Sequence, residues 1–271
     1  MSYQTIVVHV DHSAHADARI RYAAQLAVRC GAHLIGSAFS GISRYVEAGV
    51  EVILAQQAEL RAHNEAALAR FDAIATAEGV ASHERRYTND DPAGGLVLQA
   101  RYADLVILSQ TDPDDPAAAH LAGPLPAQVV MGGGRPVLVV PYAGQFVSLA
   151  SRPLVAWDGS LEATRAVASA LPLLRTGGTV AVVLFQPSGA AGRDPGADLA
   201  LYLARHGVPC EVHAEPLPID GGVALLSLAA DLQSDLLVMG AYGHARLREV
   251  LLGGVTETIL DSMTLPVLMA H

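Results

Sequence analysis

Leu236-Leu237-Val238-Met239-Gly240-Ala241-Tyr242-Gly243 is an apolar run that stops on a glycine, with a second glycine three positions on. After a spacer of nine residues the chain reads Gly253-Gly254-Val255-Thr256. A short apolar run bounded by glycine fits a buried strand. The residues after it read as a glycine-hinged loop and then a helix start. Glycine lets backbone come close to an anion, because no Cβ stands in the way. A helix N-terminus adds free N–H groups at a positive dipole end. Together these features predict a phosphate cradle at the carboxyl edge of a parallel sheet, built on Gly240, Gly243, Gly253, Gly254, Val255 and Thr256.

Working outward, the two halves of the chain repeat each other. Val8-His9-Val10-Asp11-His12-Ser13 lies over Val155-Ala156-Trp157-Asp158-Gly159-Ser160, and the same offset carries Gly31 onto Gly178. Ala103-Asp104-Leu105-Val106-Ile107-Leu108 lies over Ser234-Asp235-Leu236-Leu237-Val238-Met239, and Pro136–Val140 lies over Pro266–Ala270. Agreement in order and spacing at four places points to duplication. Each half alternates strand patterns with helix patterns. In the first, Thr5–Val10 reads as a strand and Ala16–Cys30 as a helix closed by Gly31. His33–Phe39 reads as a strand, Glu51–Ala77 as a helix, Ser82–Tyr87 as a weak strand, Gly95–Arg101 as a helix and Leu105–Leu108 as a strand. A short helix then leads to Val137–Val140. Such alternation predicts an α/β class, with two open parallel-sheet domains carrying helices on both faces. The expected domains are residues 1–143 and 150–271, joined through the stretch 142–152. Ligands in open α/β sheets sit outside the carboxyl ends of the strands.

Composition narrows the function classes. The chain has 271 residues, 51% hydrophobic and 16% charged, which supplies material for two cores. A formal net charge of −10 argues against a general nucleic-acid binder, which needs a basic face. It does not oppose nucleotide binding through backbone N–H groups. No stretch reads as a membrane span or as a secretory leader, so a cytoplasmic protein is expected. Cys30 and Cys210 lie in opposite halves and read as free thiols of a reducing compartment. His9, His12 and His15 are not expected to bind metal, because they fall on different elements with no cysteine beside them.

Gly240, Gly243, Gly253 and Thr256 carry a resemblance that covers nearly the whole chain. Gly-x2-Gly-x9-Gly followed by a hydroxyl residue resembles the phosphate loop of the universal stress protein family, here in a tandem two-domain form. The resemblance implies that ATP or a related adenine nucleotide is the cofactor, with Mg2+ compatible at the phosphates. The family often has Ser where this chain has Gly254, so one hydroxyl is missing; the Gly254 N–H and Thr256 remain. By the same resemblance Asp158 faces the ribose, Ala156 and Phe185 line the adenine pocket, and Met239 is the apolar residue before the loop. An Asp at a strand's carboxyl end suits acceptance of hydrogen bonds from ribose hydroxyls. A turn role for Asp158 and an N-cap role for Thr256 on a helix over 257–263 stand beside these readings.

The first half lacks the cradle. After Leu108 come Ser109-Gln110-Thr111-Asp112-Pro113-Asp114-Asp115-Pro116. Proline removes N–H donors. A carboxylate about 5 Å from a phosphate charge costs roughly 3 kcal/mol at an effective dielectric near 20. The first half is therefore expected to bind no triphosphate, although Asp11 keeps the ribose position. No Gly-x4-Gly-Lys-Ser/Thr loop is present, so binding with at most slow hydrolysis is expected rather than fast catalysis. Two alternatives stay open: an interaction module that binds no nucleotide, and, more distantly, a nucleotidyl-transfer enzyme on the same architecture. The apolar last strands, 137–140 and 267–269, are expected to pair within the chain, and a homodimer is left open.

Overall fold

The apolar runs form the strands of a parallel sheet. Ile6, Val7 and Val8, Leu105 to Leu108, and Leu236 to Val238 have no exposed surface. Strands buried on both faces read as continuous apolar segments, which is the signature of a sheet covered by helices. The computed structural model describes residues 2–39, 50–114, 124–186, 195–243 and 254–271. The chain divides into two units, Ser2–Gln145 and Phe146–His271.

The first unit runs β1 (Thr5–His9), α1 (Ala16–Cys30), β2 (His33–Phe39), α2 (Val50–Ala77), β3 (His83–Thr88), α3 (Pro92–Ala100), β4 (Leu105–Ser109), α4 (Leu125–Gly133) and β5 (Val137–Val140). Its strands lie in the order β3-β2-β1-β4-β5, all parallel. The second unit runs β6 (Pro153–Ala156), α5 (Leu161–Leu174), β7 (Val180–Gln186), α6 (Pro195–Arg205), β8 (Cys210–Pro216), α7 (Gly221–Asp231), β9 (Leu236–Gly240), α8 (Val255–Ser262) and β10 (Val267–Ala270). Its order, β8-β7-β6-β9-β10, repeats that of the first, again all parallel. In each unit the chain reverses its direction of travel across the sheet between the first strand and the fourth. That reversal opens a crevice at the carboxyl ends, where Asp11 follows β1 and Asp158 follows β6.

Two helix starts differ from expectation. Helix α3 begins at Pro92, not near Gly95, because Asp91 caps it by accepting from the Gly94 N–H at 2.9 Å. Asp followed by Pro is a cap with a preorganised first residue. Helix α8 begins at Val255, capped by Gly254 in the left-handed region (φ 41°). Thr256 is therefore inside the first turn and is not the N-cap. Gly31 closes α1 in the left-handed region (φ 65°), as expected. Cys30 and Cys210 are free thiols. No described helix is long and apolar enough to cross a membrane.

Candidate functional site

At the end of β9, Gly240 has a packing duty that the sequence pattern does not reveal. A Cβ there would lie 2.5 Å from the Ala163 amide nitrogen and 2.8 Å from the Glu162 carbonyl carbon. The glycine thus seats the first turn of α5 directly on the strand end. Ser160 caps that helix, accepting from the Ala163 N–H at 3.1 Å. The loop beyond is pinned from both sides. The Ala241 N–H donates to the Ala270 carbonyl of β10 at 2.9 Å. Tyr242 takes a left-handed conformation (φ 56°) and donates its N–H to Thr256 Oγ1 at 3.3 Å. A positive φ at a non-glycine residue is uncommon and needs a surrounding structure that imposes it. Here the tie to α8 supplies that constraint. Thr256 is buried. Its hydroxyl accepts from Tyr242 and keeps its own proton to donate.

Two carboxylates stand beside this loop, and sequence reasoning misses both. Glu162 Oε2 lies 3.0 Å from where a Cβ on Gly243 would be, and Glu257 Oε2 lies 2.7 Å from the same point on Gly254. Burial pushes the Tyr242 phenol up, helped by the charges of Glu257 and Asp261. The cradle is therefore less positive than its glycines suggest. Gly253, His244, Arg246 and Arg248 lie outside the described residues.

On the other wall of the crevice, Asp158 is exposed and accepts only the Ser160 N–H at 2.9 Å among the described residues. Ala156, Phe185 and Met239 share one face at the carboxyl edge. Ala156 pairs with Val183, two residues before Phe185, and Val155 pairs with Val238, one before Met239. Met239 is buried, while Ala156 and Phe185 are half-buried. The structure also draws attention to Trp157, between Ala156 and Asp158. Its indole N–H is buried with no partner among the described residues. A buried donor without an acceptor is costly and uncommon. Val10 stands at this position in the first unit. The chain's single tryptophan, placed on a repeated strand end, is the signal available in the sequence.

The twin site in the first unit is built differently. Arg19, 1% exposed on α1, donates from Nε to the His9 carbonyl at 2.9 Å and from Nη1 to Ser109 Oγ at 2.6 Å. Its Nη2 lies 3.0 Å from Asp11 Oδ1. The same oxygen accepts from the Ser13 N–H at 3.1 Å and the Ser13 hydroxyl at 2.7 Å. Burial pushes the Asp11 carboxyl up, but the Arg19 charge and these hydrogen bonds outweigh it and hold the group well below the usual carboxylate range. So Asp11 does keep its position, yet its oxygens are engaged by the protein. Burial lowers the His9 imidazole to about 4, against the opposing pull of Asp11, so His9 is neutral. By the repeat offset, Ala156 and Ala166 replace His9 and Arg19 in the second unit, and Gly240 replaces Ser109. Asp112, at the position of Gly243, pairs with His15 Nε2 at 3.0 Å.

The two crevices thus differ in what their residues leave open. The second unit has small side chains at 156 and 166, an unclamped Asp158, an orphaned Trp157 N–H, and glycines where a Cβ would fill the cradle. In the first unit, His9 and Arg19 occupy that space and Asp112 takes the loop position. A cavity of about 170 Å³ does open in the first unit, beside Asp11, and is lined by His9, Phe39, Leu60 and Asn64 among others.

Among solved structures, the chain is similar to a universal stress protein from Archaeoglobus fulgidus DSM 4304. The identity is 19%, the TM-score is 0.77, and the match covers 98% of this chain and 95% of that one. A functionally unknown protein from Pseudomonas aeruginosa PAO1 matches at 18% identity and TM-score 0.58, over 99% of this chain and 92% of that one. These likenesses concern the fold. A universal stress protein described in complex with cAMP is 25% identical over 53% of this chain and 100% of its own, with a TM-score of 0.39. None of the curated proteins matches. The model of the universal stress protein family matches twice, over residues 2–141 and 151–271, and the chain therefore belongs to that family.

Proposed function

We infer that the second unit binds an adenine nucleotide, ATP or a close relative, and that the protein acts in a stress response by binding or assembly rather than by fast catalysis. The observation that carries this reading is the open Asp158. It has one internal hydrogen bond and an alanine where its twin has a buried arginine. An exposed carboxylate with free lone pairs can accept from both ribose hydroxyls. Ala156, Phe185 and Met239 supply the apolar wall for a base. Beside Asp158, Trp157 keeps a buried indole N–H that lacks an acceptor among the described residues. The phosphates would meet the Gly243 and Gly254 N–H groups, the Thr256 hydroxyl and the first turn of α8.

Glu162 and Glu257 refine the reading. Each carboxylate close to a phosphate charge opposes binding by a few kcal/mol at an effective dielectric near 20, of order 3 at about 5 Å. A divalent cation carried with the phosphates cancels that repulsion, with Glu162 Oε2 3.0 Å from where a Cβ on Gly243 would lie. We therefore expect Mg2+ to tighten binding of a triphosphate. No side chain among the described residues of this site is arranged as a nucleophile with its base, which favours binding over turnover.

The test is to heat-denature the purified chain and separate the supernatant by anion exchange. Release of adenine nucleotide in proportion to protein supports the reading. Its absence, together with no calorimetric signal on adding ATP and Mg2+, favours an interaction module without nucleotide.

A further inference from the structure

We propose that the cavity of the first unit is a separate binding site for a small monocyclic aromatic molecule carrying an N–H donor group, and that it rejects phosphates and carboxylates. The site does not depend on nucleotide binding in the second unit. Its volume, about 170 Å³, falls below the roughly 300–1,000 Å³ of pockets for drug-sized ligands. A triphosphate nucleotide is too large and too negative for it.

The wall chemistry selects donors. Apolar surface comes from Phe39, Leu60, Pro92 and Leu125. Two deeply buried side chains on the wall, His9 and Asn64, present acceptors, while the Thr111 and Tyr142 hydroxyls and the His12 ring also line the cavity. His9 is 8% exposed, and its Nδ1 faces Asp11 Oδ2 at 3.4 Å. The carboxylate fixes the proton on Nδ1, which leaves Nε2 as an acceptor lone pair. Asn64 is 4% exposed and donates from Nδ2 to the Phe39 carbonyl at 2.9 Å. Its Oδ1 has no partner among the described residues and is a second acceptor on the same wall. The ring of His9 lies 5.9 Å from that of Phe39, which places a stacking surface beside the first acceptor.

Charge points the same way. The cavity holds two carboxylates, Asp11 and Asp112, and one guanidinium, Arg19. Arg19 is spent on Asp11, the His9 carbonyl and Ser109, all inside the protein. An incoming anion therefore faces the two carboxylates and the acceptors of His9 and Asn64, whereas an amine, amide or amidine finds partners in those same atoms. An acceptor left facing an anion is unpaired and repelled, while a charged donor on the same acceptor is favourable.

Three probes of one shape separate the outcomes: benzamidine (donors only, cationic), benzamide (donor and acceptor, neutral) and benzoate (acceptor only, anionic). Each is titrated into the full chain while backbone amide resonances are followed. Benzamidine is expected to perturb residues 9–13 and 109–112 and to bind about tenfold more tightly than benzoate, with benzamide between them. His9→Phe keeps the ring, removes the acceptor and lowers benzamidine affinity about fivefold. Leu60→Trp, on a half-buried helix position, fills the cavity and abolishes the perturbation while the fold is retained. Equal or tighter binding of benzoate, an undiminished response in Leu60→Trp, or no response to benzamidine overturns the proposal. So does a shift of Trp157 emission in the wild-type chain, which would place the probe in the second unit.

Discussion

Asp11 and Asp158 end equivalent strands of the same repeat, yet one is locked and the other is open. Asp11 sits against a buried arginine and a two-pronged serine contact. Asp158 has one turn bond and faces solvent. The difference traces to three substitutions between the halves: Ala156 for His9, Ala166 for Arg19 and Gly240 for Ser109. In the first unit the buried cation is neutralised internally, which stabilises the domain and consumes the ligand-facing acid. In the second, small residues let α5 settle on β9 and leave the acid available. A duplicated fold has thus tied one copy of this position into an internal ion pair and left the other open to solvent.

The largest effect that can break this contrast is Arg19→Ala. It leaves Asp11 partly buried without its cation and is expected to destabilise the first unit by about 3–5 kcal/mol, measured by urea unfolding. The reciprocal Asp158→Ala should leave stability within about 0.5 kcal/mol, since the site is exposed. A null result for Arg19→Ala would mean that the ion pair does not hold the unit together.

Acid offers the next test. The His9 imidazole protonates near 4 when folded and near 6.5 when unfolded. The unfolded chain therefore binds more protons between those values, and first-unit stability falls as pH drops through that window, by up to about 3 kcal/mol. Below about 4, Asp11 adds a further loss, because its folded carboxyl resists protonation more than the unfolded one does. His9→Phe should flatten the loss between pH 6.5 and 4 but not the one below it. Unfolding midpoints measured across this range, followed by amide resonances of each unit, decide the matter.

On the binding side, Gly243→Asp copies the twin's Asp112 into the cradle. A carboxylate about 5 Å from a phosphate costs roughly 3 kcal/mol at an effective dielectric near 20, so calorimetry should show ATP affinity falling about a hundredfold. Asp158→Ala is smaller, about tenfold for lost charge-assisted ribose bonds. Asp11→Asn should leave nucleotide affinity unchanged.

The strands and their repeat are legible because apolar runs ending on Gly or Asp are local signals. Asp91-Pro92 is an equally local helix start, overshadowed by the glycines that come after it. Arg19 is harder. It lies among Ile20, Ala23 and Ala27 on the buried face of an amphipathic helix, where an apolar residue is expected, and only its pairing across space with Asp11 gives it meaning. Aligning it with Ala166 flags it. The glycines read as phosphate contacts, yet Gly240 is also required by close packing of α5. Glu162 and Glu257 are invisible because a carboxylate in a first helical turn is ordinary, being favoured by the dipole. Thr256 reads as a cap only while Gly254, whose left-handed turn begins the helix, is counted as loop.

Trp157 permits the most direct measurement. The chain's single tryptophan adjoins Asp158, so its emission reports on the second crevice alone. Titration with ATP and Mg2+ should give one saturable transition per chain, lost in Gly243→Asp and intact in Asp11→Asn. Emission that ignores ATP while calorimetry still detects binding, or a transition that survives Gly243→Asp, would contradict assignment of the nucleotide to the second unit.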